Sequence, residues 1–189
     1  MDENLEKRFL KELEIQCGFA KFALEDLNSC LSSLENVRGG FTNNGNNDVE
    51  RLWYSIQNFL NAAANISRIL WPSKRNYKER GRLLRKKLNV NDGFALNSRQ
   101  ARNSFEHFDE RLHDWFFSLD KPSAAVDRNI GPIDSWNPSG DPDKKYFLRN
   151  FDQTKYVLWF RGEMYELQPM IKEIQSIFNL VSCHPSRVG

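Results

Sequence analysis

The sequence predicts a mainly α-helical fold: an up-down bundle of four to five helices, followed by a small C-terminal antiparallel β meander and a final helix. Apolar residues recur every three or four positions through most of the first 120 residues, which is the periodicity of helices that bury one face. After residue 144, short aromatic and β-branched runs are separated by turn residues, as in a meander. These two observations predict the fold class.

The first two helices are predicted from their apolar stripes and from the break between them. Arg38–Asn47 is rich in Gly and Asn, which favour turns, so the first helix is expected to end before it. Asp48 is the expected N-cap of the second helix, which should stop at Trp71 before Pro72. The first stripe consists of Leu13, Cys17, Ala20, Leu24, Leu27, Leu31 and Leu34, and the second of Val49, Leu52, Ile56, Phe59, Ala63, Ile66 and Ile69.

Two further helices complete the predicted bundle, one near Tyr77–Leu88 and one from Asn97 or Ser98 to about Leu119. At about 100° per residue, one face of the fourth helix is apolar and is expected to belong to the core. Trp115 falls beside that face, where we expect it to be exposed and to contribute to a dimer interface. The predicted core face contains Ala101, Phe105, Phe108, Leu112, Phe116 and Leu119.

The C-terminal part is predicted to be organised differently. Four of the seven prolines fall between Lys121 and Asp143, which predicts a linker loop over residues 121–144. The bundle then occupies residues 1–120. Residues 145–189 form the meander and the last helix, packed on the bundle because three short strands are not stable alone. Pro169 is expected to be the first residue of that helix, whose predicted buried face contains Met170, Ile174, Ile177 and Val181.

Composition limits the compartment and the ligands. The net charge is only +2, so any affinity for nucleic acid has to come from local clusters of charge. Cys17, Cys30 and Cys183 are odd in number and lack metal-ligand spacing, which favours a reducing compartment. The N-terminus is too charged for a signal peptide, and no apolar run reaches the roughly 18 residues of a membrane span. We expect a cytoplasmic protein with no membrane partner, no cofactor and no metal.

One predicted helical stretch, Arg102–Trp115, concentrates the groups that could do chemistry. In RNSFEH, Asn103 and His107 are four residues apart, so their side chains can touch, and Arg102 can pair with Glu106 in the same way. These side chains lie away from the apolar face. From periodicity alone, a solvated polar face is a commoner explanation than an active site, since helical Arg–Glu pairs are frequent and individually weak.

RNSFEH resembles the Arg-polar-x3-His motif of the HEPN superfamily, the higher eukaryotes and prokaryotes nucleotide-binding domains. The resemblance covers about the first 120 residues and is specific in this motif, which follows two long helices as it does in the family. It implies a bundle of four or five helices that forms a homodimer. Many members are metal-independent ribonucleases in toxin–antitoxin, phage-defence or RNA-processing systems, with the arginine and histidine of both protomers in one cleft. Other members are catalytically silent and bind nucleotides or partners.

The resemblance assigns Arg102, Asn103 and His107 as catalytic residues of an endoribonuclease. RNA is then the substrate, and an antitoxin or another protein is a further partner. Histidine titrates near neutrality and can take a proton from the RNA 2′-hydroxyl, while arginine stabilises the charge that develops on the phosphate. The alternative function is a non-catalytic helical module that binds a nucleotide or a protein partner.

A basic segment, Lys74–Lys87, is the second candidate nucleic-acid site. Its sequence, KRNYKERGRLLRKK, contains eight basic residues and one acidic residue, Glu79. Such a cluster can neutralise phosphates, and Tyr77 can stack on a base. A solvated basic helix explains the pattern equally well. The residues predicted to contact RNA are Lys74, Arg75, Tyr77, Arg82, Arg85 and Lys86.

Overall fold

The computed structural model describes residues 1–36, 43–98, 108–135 and 143–183. In these residues the predicted fold class is confirmed, since five α-helices are accompanied by a small four-stranded sheet that precedes the last helix. The helices are α1 (Glu3–Asn36), α2 (Asn43–Leu70), α3 (Lys78–Lys87), α4 (Phe108–Ser118) and α5 (Leu167–Ser182). The strands are β1 (Asn129–Ile130), β2 (Arg149–Asp152), β3 (Val157–Phe160) and β4 (Glu163–Glu166).

α1 and α2 form a long antiparallel hairpin. Asp26, late in α1, is hydrogen-bonded to Ser55, early in α2, whereas the earlier Gln16 is bonded to the later Asn65. Large apolar side chains contribute roughly 1.5–3 kcal/mol each when fully buried, so the two stripes hold the hairpin together. Both predicted stripes face the interior, and their most deeply buried members are Leu13, Cys17, Ala20, Leu27, Leu52, Ile56, Phe59, Ala63 and Ile66.

α2 begins at Asn43, inside the stretch predicted to break the helix. The prediction that Asp48 caps this helix is therefore wrong, because Asp48 lies within it. Once the buried residues from Leu52 onward fix the helix, extending it backwards costs only helix propensity, about 1 kcal/mol for Gly45 and less for each Asn. The part of the predicted break that precedes Asn43 lies outside the described residues.

α3 is seated against the C-terminal end of α2 through a glycine. Gly81 is buried, and a Cβ atom added to it would lie 2.5 Å from the Leu70 carbonyl oxygen and 2.5 Å from Pro72 Cδ. Glycine is thus the residue that fits this contact without displacing backbone. The bounds of α3 agree with the predicted helix Tyr77–Leu88 to within one residue at each end.

The chain falls into two compact units: Met1–Ser98 with Met170–Gly189, and Arg99–Pro169. The division lies inside α5, so most of this helix belongs to the first unit. There, Glu173 accepts hydrogen bonds from the backbone N–H groups of Ala95 at 2.6 Å and Leu96 at 2.9 Å, which fixes the turn after α3. That domain boundaries lie near residues 120 and 144 stays a prediction.

α5 begins at Leu167, so the prediction that Pro169 is its first residue is wrong by two positions. Pro169 still lies in the first turn, where its missing N–H has no helical partner to lose. Among the described residues, no helix combines the length and the apolar character that crossing a bilayer requires. The predicted buried face is confirmed, with side chains at most 6% exposed: Met170, Ile174, Ile177 and Val181.

The second unit contains a mixed sheet with strand order β1-β2-β3-β4. The predicted antiparallel meander is formed by β2, β3 and β4, with Asn150 opposite Trp159 and Leu158 opposite Tyr165. β1 differs from the prediction, because it lies in the predicted linker and pairs in parallel with β2, placing Asn129 opposite Asn150. A strand of two residues has too little periodicity to be recognised in a sequence.

α4 buries a different face from the predicted one. Trp115 is 5% exposed and donates its indole N–H to the Lys145 carbonyl at 2.7 Å, whereas Leu112 and Phe116 are 38% and 46% exposed. The predictions that Trp115 is exposed and that Leu112 and Phe116 belong to the core are therefore wrong. A buried indole needs a partner for its N–H, and the Lys145 carbonyl provides one. Of the predicted helix before Phe108, Asn97 ends a short 3₁₀ turn and Ser98 is extended, while residues 99–107 lie outside the described residues.

Candidate nucleic-acid interface

The three predicted catalytic residues, Arg102, Asn103 and His107, lie outside the described residues. α4 begins at Phe108, immediately after His107, so the structure describes the helix that follows RNSFEH and not the motif itself. The assignment of these three residues stays a prediction that rests on the sequence RNSFEH.

The basic segment forms the 3₁₀ turn Arg75–Tyr77 and α3, and its cations differ in how firmly they are held. Arg85 donates to the Leu70 carbonyl at 2.5 Å, pairs with Asp92 at 3.1 Å and lies over the Trp71 ring. The Leu70 carbonyl is at the C-terminal end of α2, where a cation also interacts favourably with the helix dipole. Arg85 therefore stabilises the fold, and an RNA phosphate would have to compete with three existing partners.

Two more arginines of the segment are engaged by other groups of the protein. Arg82 makes a two-point ion pair with Glu79, at 2.6 and 2.8 Å, which lowers the pKa of the Glu79 carboxyl and raises the pKa of Arg82. The Arg80 guanidinium lies over the rings of Phe9, at 4.4 Å, and Tyr77, at 5.3 Å. Partial burial lowers the pKa of Arg80. One face of the Tyr77 ring is thereby occupied.

Lys74, Arg75 and Lys86 are the predicted RNA-contacting cations that are exposed and not engaged by other groups of the described protein. All three are exposed, and no ion pair within the described part of the chain engages them. Tyr77 is 49% exposed, so the ring face away from Arg80 is accessible. Four of the six predicted residues thus lie where a phosphate or a base can reach them without displacing a partner.

A groove between α1 and α2 is a second candidate interface, which we call the α1–α2 groove. It has a volume of about 470 Å³, within the usual range of ligand sites. Phe19, Phe22 and Tyr54 line it and are 54%, 67% and 67% exposed, so three aromatic rings are accessible along the groove. The other lining residues are Gln16, Ala23, Asp26, Ser55, Asn58, Asn61, Ala62 and Asn65.

An ionic cluster forms one end of the α1–α2 groove. Asp26 accepts a hydrogen bond from Arg51 Nε at 3.1 Å and from the Ser55 hydroxyl at 2.7 Å, and its second oxygen also pairs with Arg51. The Arg51 guanidinium, and then the Ser55 hydroxyl, hold the pKa of the Asp26 carboxyl below its ordinary value. Because both oxygens of Asp26 accept hydrogen bonds, its negative charge is offset at this end.

The opposite end of the groove is a chain of amides. Asn65 Nδ2 donates to Gln16 Oε1 at 3.1 Å, and Gln16 Nε2 donates to Glu12 at 2.7 Å. Arg68 in turn donates to Asn65 Oδ1 at 2.9 Å. These bonds fix the orientation of the two amides, and they place a guanidinium next to the groove.

Asn58 and Asn61 lie between the two ends. Among the described residues, neither side chain has a hydrogen-bond partner. A carboxamide presents two N–H donors and one carbonyl acceptor. The middle of the groove therefore offers amide donors and acceptors beside exposed aromatic rings.

Sequence reasoning missed the groove residues, although α1 contained a signal for them. Ile15, Phe19 and Phe22 are four and three residues apart and lie about 180°–240° round the helix from the buried Leu13. A second apolar stripe opposite a buried one marks a helix face that the core does not use. On α2, the same spacing links Tyr54, Asn58, Asn61 and Asn65.

In the described ranges the metal-ligating side chains are dispersed, and the two buried cysteines are held as thiols. There, no group of three or more His, Cys, Asp and Glu side chains is arranged to hold a metal ion. His113 is exposed and its ring contacts that of Phe117 at 4.7 Å, while His184 lies outside the described residues. Burial raises the pKa of the Cys30 thiol and raises that of Cys17 to about 12, so neither is a thiolate near neutral pH.

Comparison with known proteins adds no relative: no family model matches the chain, and neither the curated proteins nor the solved structures give a match. The fold defines a mainly α-helical protein with a small mixed sheet before its last helix. The resemblance to the HEPN superfamily rests on RNSFEH and on the order of the helices around it.

Proposed function

We propose that the protein is a metal-independent endoribonuclease that works as a homodimer, as a toxin or phage-defence effector. The sequence RNSFEH at Arg102–His107, which resembles the HEPN ribonuclease motif, is the observation that carries the proposal. Two long antiparallel helices precede the motif and α4 follows it, which supports the resemblance. The exposed cations Lys74, Arg75 and Lys86 support RNA as the ligand, because they can neutralise phosphates.

The proposed catalytic residues suit RNA cleavage by the substrate's own nucleophile. His107 would remove the proton of the 2′-hydroxyl, and Arg102 would stabilise the charge on the phosphorane that forms. Asn103 would orient His107 or donate to a phosphate oxygen. The bond from the 2′-oxygen to phosphorus forms and the bond from phosphorus to the 5′-oxygen breaks. The products are a 2′,3′-cyclic phosphate and a 5′-hydroxyl.

A homodimer follows from the need for both a base and an acid. One chain provides one Arg102–His107 set, whereas two chains around a shared cleft provide two histidines. We expect light scattering at micromolar concentration to give about 44 kDa, twice the 22.2 kDa of one chain. The mass of a single chain at every concentration would exclude the shared cleft.

Cleavage of single-stranded RNA in the presence of EDTA tests the function. His107→Ala should lower the rate roughly 10²–10⁴-fold, the usual contribution of a general acid or base. Arg102→Ala should have a comparable effect through lost charge stabilisation. His113→Ala is the matched control, because His113 is an exposed histidine outside the motif, and it should cleave at the wild-type rate.

Two further observations complete this test. Single-stranded DNA of the same sequence should survive, because it lacks the 2′-hydroxyl. Circular dichroism should show that His107→Ala is folded. A folded His107→Ala protein that cleaves RNA at the wild-type rate would contradict the proposal, because catalysis would then not run through this histidine.

The alternative is a non-catalytic module that binds a nucleotide or a protein partner such as an antitoxin. The α1–α2 groove favours this alternative, since its exposed rings and the amides of Asn58 and Asn61 can bind a ligand without any catalytic residue. Ligand binding by a protein that never cleaves RNA would support the alternative over the ribonuclease.

A further inference from the structure

We infer that a second groove, between the N-terminal part of α1 and α3, binds a free alkyl carboxylate such as a medium-chain fatty acid. We call it the α1–α3 groove. It has a volume of about 420 Å³, within the usual range of small-molecule sites. Binding here does not require the cleavage chemistry proposed for Arg102–His107, although the lining residue Tyr77 also belongs to the predicted RNA surface.

Apolar side chains form most of the lining of the α1–α3 groove. Leu5 and Phe9 line it from α1, and Tyr77 and Leu83 line it from the basic segment. Leu5 is 45% exposed and Tyr77 is 49% exposed, so a ligand can reach this lining from solvent. Burying one CH₂ group against such a lining strengthens binding roughly fourfold. The lining therefore favours an alkyl chain.

Arg80 places in this groove a positive charge that no carboxylate of the described residues offsets. Its guanidinium contacts the rings of Phe9 and Tyr77, which do not neutralise it, and its Nη2 reaches the Arg68 carbonyl only at 3.5 Å. Its Nε is buried and has no hydrogen-bond partner within the described residues. Burial lowers the pKa of Arg80, as expected for a desolvated cation without an acidic partner. A bound carboxylate would be that partner and would accept charge-assisted hydrogen bonds.

The acidic side chains nearest to the groove are already paired. Glu79, the one acid among the described lining residues, makes the two-point ion pair with Arg82, at 2.6 and 2.8 Å. Glu6, between Leu5 and Phe9 in the sequence of α1, is paired with Lys87. Because both negative charges are offset, they oppose a bound carboxylate only weakly. The electrostatic balance in the groove therefore favours an anion beside Arg80.

More polar ligands fit the same groove less well. An extended peptide has an N–H and a C=O group in nearly every residue, and a nucleobase has several donors and acceptors on its edge. Besides Arg80, the described lining residues offer only the Asn76 amide and the Tyr77 hydroxyl as free polar side-chain groups. Polar groups that lose water without gaining a partner oppose binding. An alkyl carboxylate has one polar end, and Arg80 matches it.

Titration of the full chain with sodium octanoate, followed by the backbone amide shifts in NMR spectra, tests the proposed site. Octanol is the uncharged ligand with a chain of the same length, and pentanoate is a shorter carboxylate. Octanoate should bind roughly 10- to 100-fold more tightly than octanol, the range of a hydrogen bond to a charged group. Pentanoate should bind at least about tenfold more weakly than octanoate, because it buries fewer CH₂ groups.

Two pairs of variants separate the charge from the apolar lining. Arg80→Met keeps an apolar side chain in place, so it should bind octanol like wild type, and its preference for octanoate over octanol should fall to about one. Arg75→Met, which removes an exposed cation of the same segment, should keep the wild-type preference. Leu5→Ser should weaken both ligands alike. Leu180→Ser should weaken neither, because Leu180 is a 41% exposed leucine on α5 outside the groove.

Loss of the preference in folded Arg80→Met, together with its retention in Arg75→Met, supports the carboxylate site. An unchanged preference in folded Arg80→Met would overturn it, and so would wild-type protein that binds octanoate no more tightly than octanol. This wild-type comparison decides the matter if Arg80→Met does not fold. If Leu5→Ser alters the mass in light scattering but not the octanoate affinity, the groove is a protein interface and the inference is wrong. RNA cleavage is measured separately, so the ribonuclease proposal can fail without affecting these outcomes.

Discussion

The basic segment and the α1–α2 groove are two surfaces of one unit. They differ in how many of their charged and polar side chains are free to bind a ligand. The basic segment has eight cationic residues, yet Arg80, Arg82 and Arg85 are each engaged by groups of the protein itself. The groove has one carboxylate among its lining residues, and it exposes three aromatic rings. The amides of Asn58 and Asn61 lie there without partners among the described residues.

The difference shows that the number of cations in a segment overstates the charge that is free to bind RNA. Arginine has a long side chain and five N–H donors, so it readily binds carbonyls, carboxylates and rings of its own fold. Neutral amides and aromatic rings are easily overlooked in a sequence, because most of them belong to solvated or buried faces.

The largest expected effect shows whether the basic helix α3 is fixed on the hairpin. In Gly81→Ala the new Cβ would lie 2.5 Å from the Leu70 carbonyl oxygen, so backbone must move, and we expect a loss of roughly 3 kcal/mol in urea unfolding. Gly18→Ala is the matched control, since nothing lies within 4 Å of its Cβ position. That change should stabilise α1 by roughly 0.5–1 kcal/mol. Equal stability of the two variants would mean that α3 is not seated on α2 as described.

The next effect separates a structural cation from a surface cation within the basic segment. Arg85→Gln loses contacts with Leu70, Asp92 and Trp71, and should lower the free energy of unfolding by roughly 2 kcal/mol. Lys86→Gln is the neighbouring control and should change it by no more than about 0.5 kcal/mol, because Lys86 is exposed. Urea unfolding of both variants measures the difference. Similar losses of unfolding free energy in the two variants would mean that Arg85 contributes no more to the fold than Lys86 does.

A smaller effect is expected on the salt dependence of RNA binding, which reports how many cations of the basic segment contact phosphates. Replacing Lys74, Arg75 and Lys86 together with Gln should reduce the slope of log affinity against log salt by up to about 2, at about 0.7 per lost phosphate contact on a single strand. Anisotropy with 2′-O-methyl RNA at several salt concentrations measures the slope. Lys172→Gln, an exposed lysine on α5, should leave the slope unchanged. An unaltered slope in the triple variant would identify the segment as a solvated face.

The smallest effect concerns the ionic end of the groove. Arg51, then Ser55, lower the folded pKa of Asp26 below its unfolded value of about 3.9. The ionised carboxylate therefore stabilises the fold above about pH 5, and this contribution is lost as the pH falls through the lower folded pKa. Asp26→Asn should cost about 1 kcal/mol or less at neutral pH, and nothing well below the folded pKa. Urea unfolding at neutral and acid pH checks this; an equal deficit at both would contradict the assignment.

The long helices, in which the apolar spacing recurs many times, were predictable from the sequence, and the short elements were not. The stripes of α1 and α2 each contain seven apolar residues, so an error in one position does not alter the face that they define. α4 has only eleven residues in the described range, too few to define its buried face from the apolar spacing alone. There the hydrogen bond of the indole N–H decides the buried face, so Trp115 is buried and Phe116 is exposed. The two residues of β1 have no usable period, and their pairing depends on β2, which lies about 20 residues further along the chain.

The candidate sites were predictable to different degrees for a related reason. RNSFEH is a local pattern, so the sequence alone suggests Arg102 and His107, although their geometry lies outside the described residues. The groove needs two helices in a particular register. The stripe of Phe19 and Phe22 was visible on α1, but only the fold shows that Tyr54 lies beside it. The ion pairs that hold the basic segment likewise depend on tertiary contacts.

The chemical ends of the RNA fragments test the proposed ribonuclease most directly. After incubation of single-stranded RNA with the protein in EDTA, mass spectrometry should find 2′,3′-cyclic phosphate on upstream fragments and 5′-hydroxyl on downstream fragments. His113→Ala should give the same products, and folded His107→Ala should leave the RNA largely intact. Fragments with 5′-phosphate ends, no cleavage by the wild-type protein, or identical cleavage by folded His107→Ala would contradict the account.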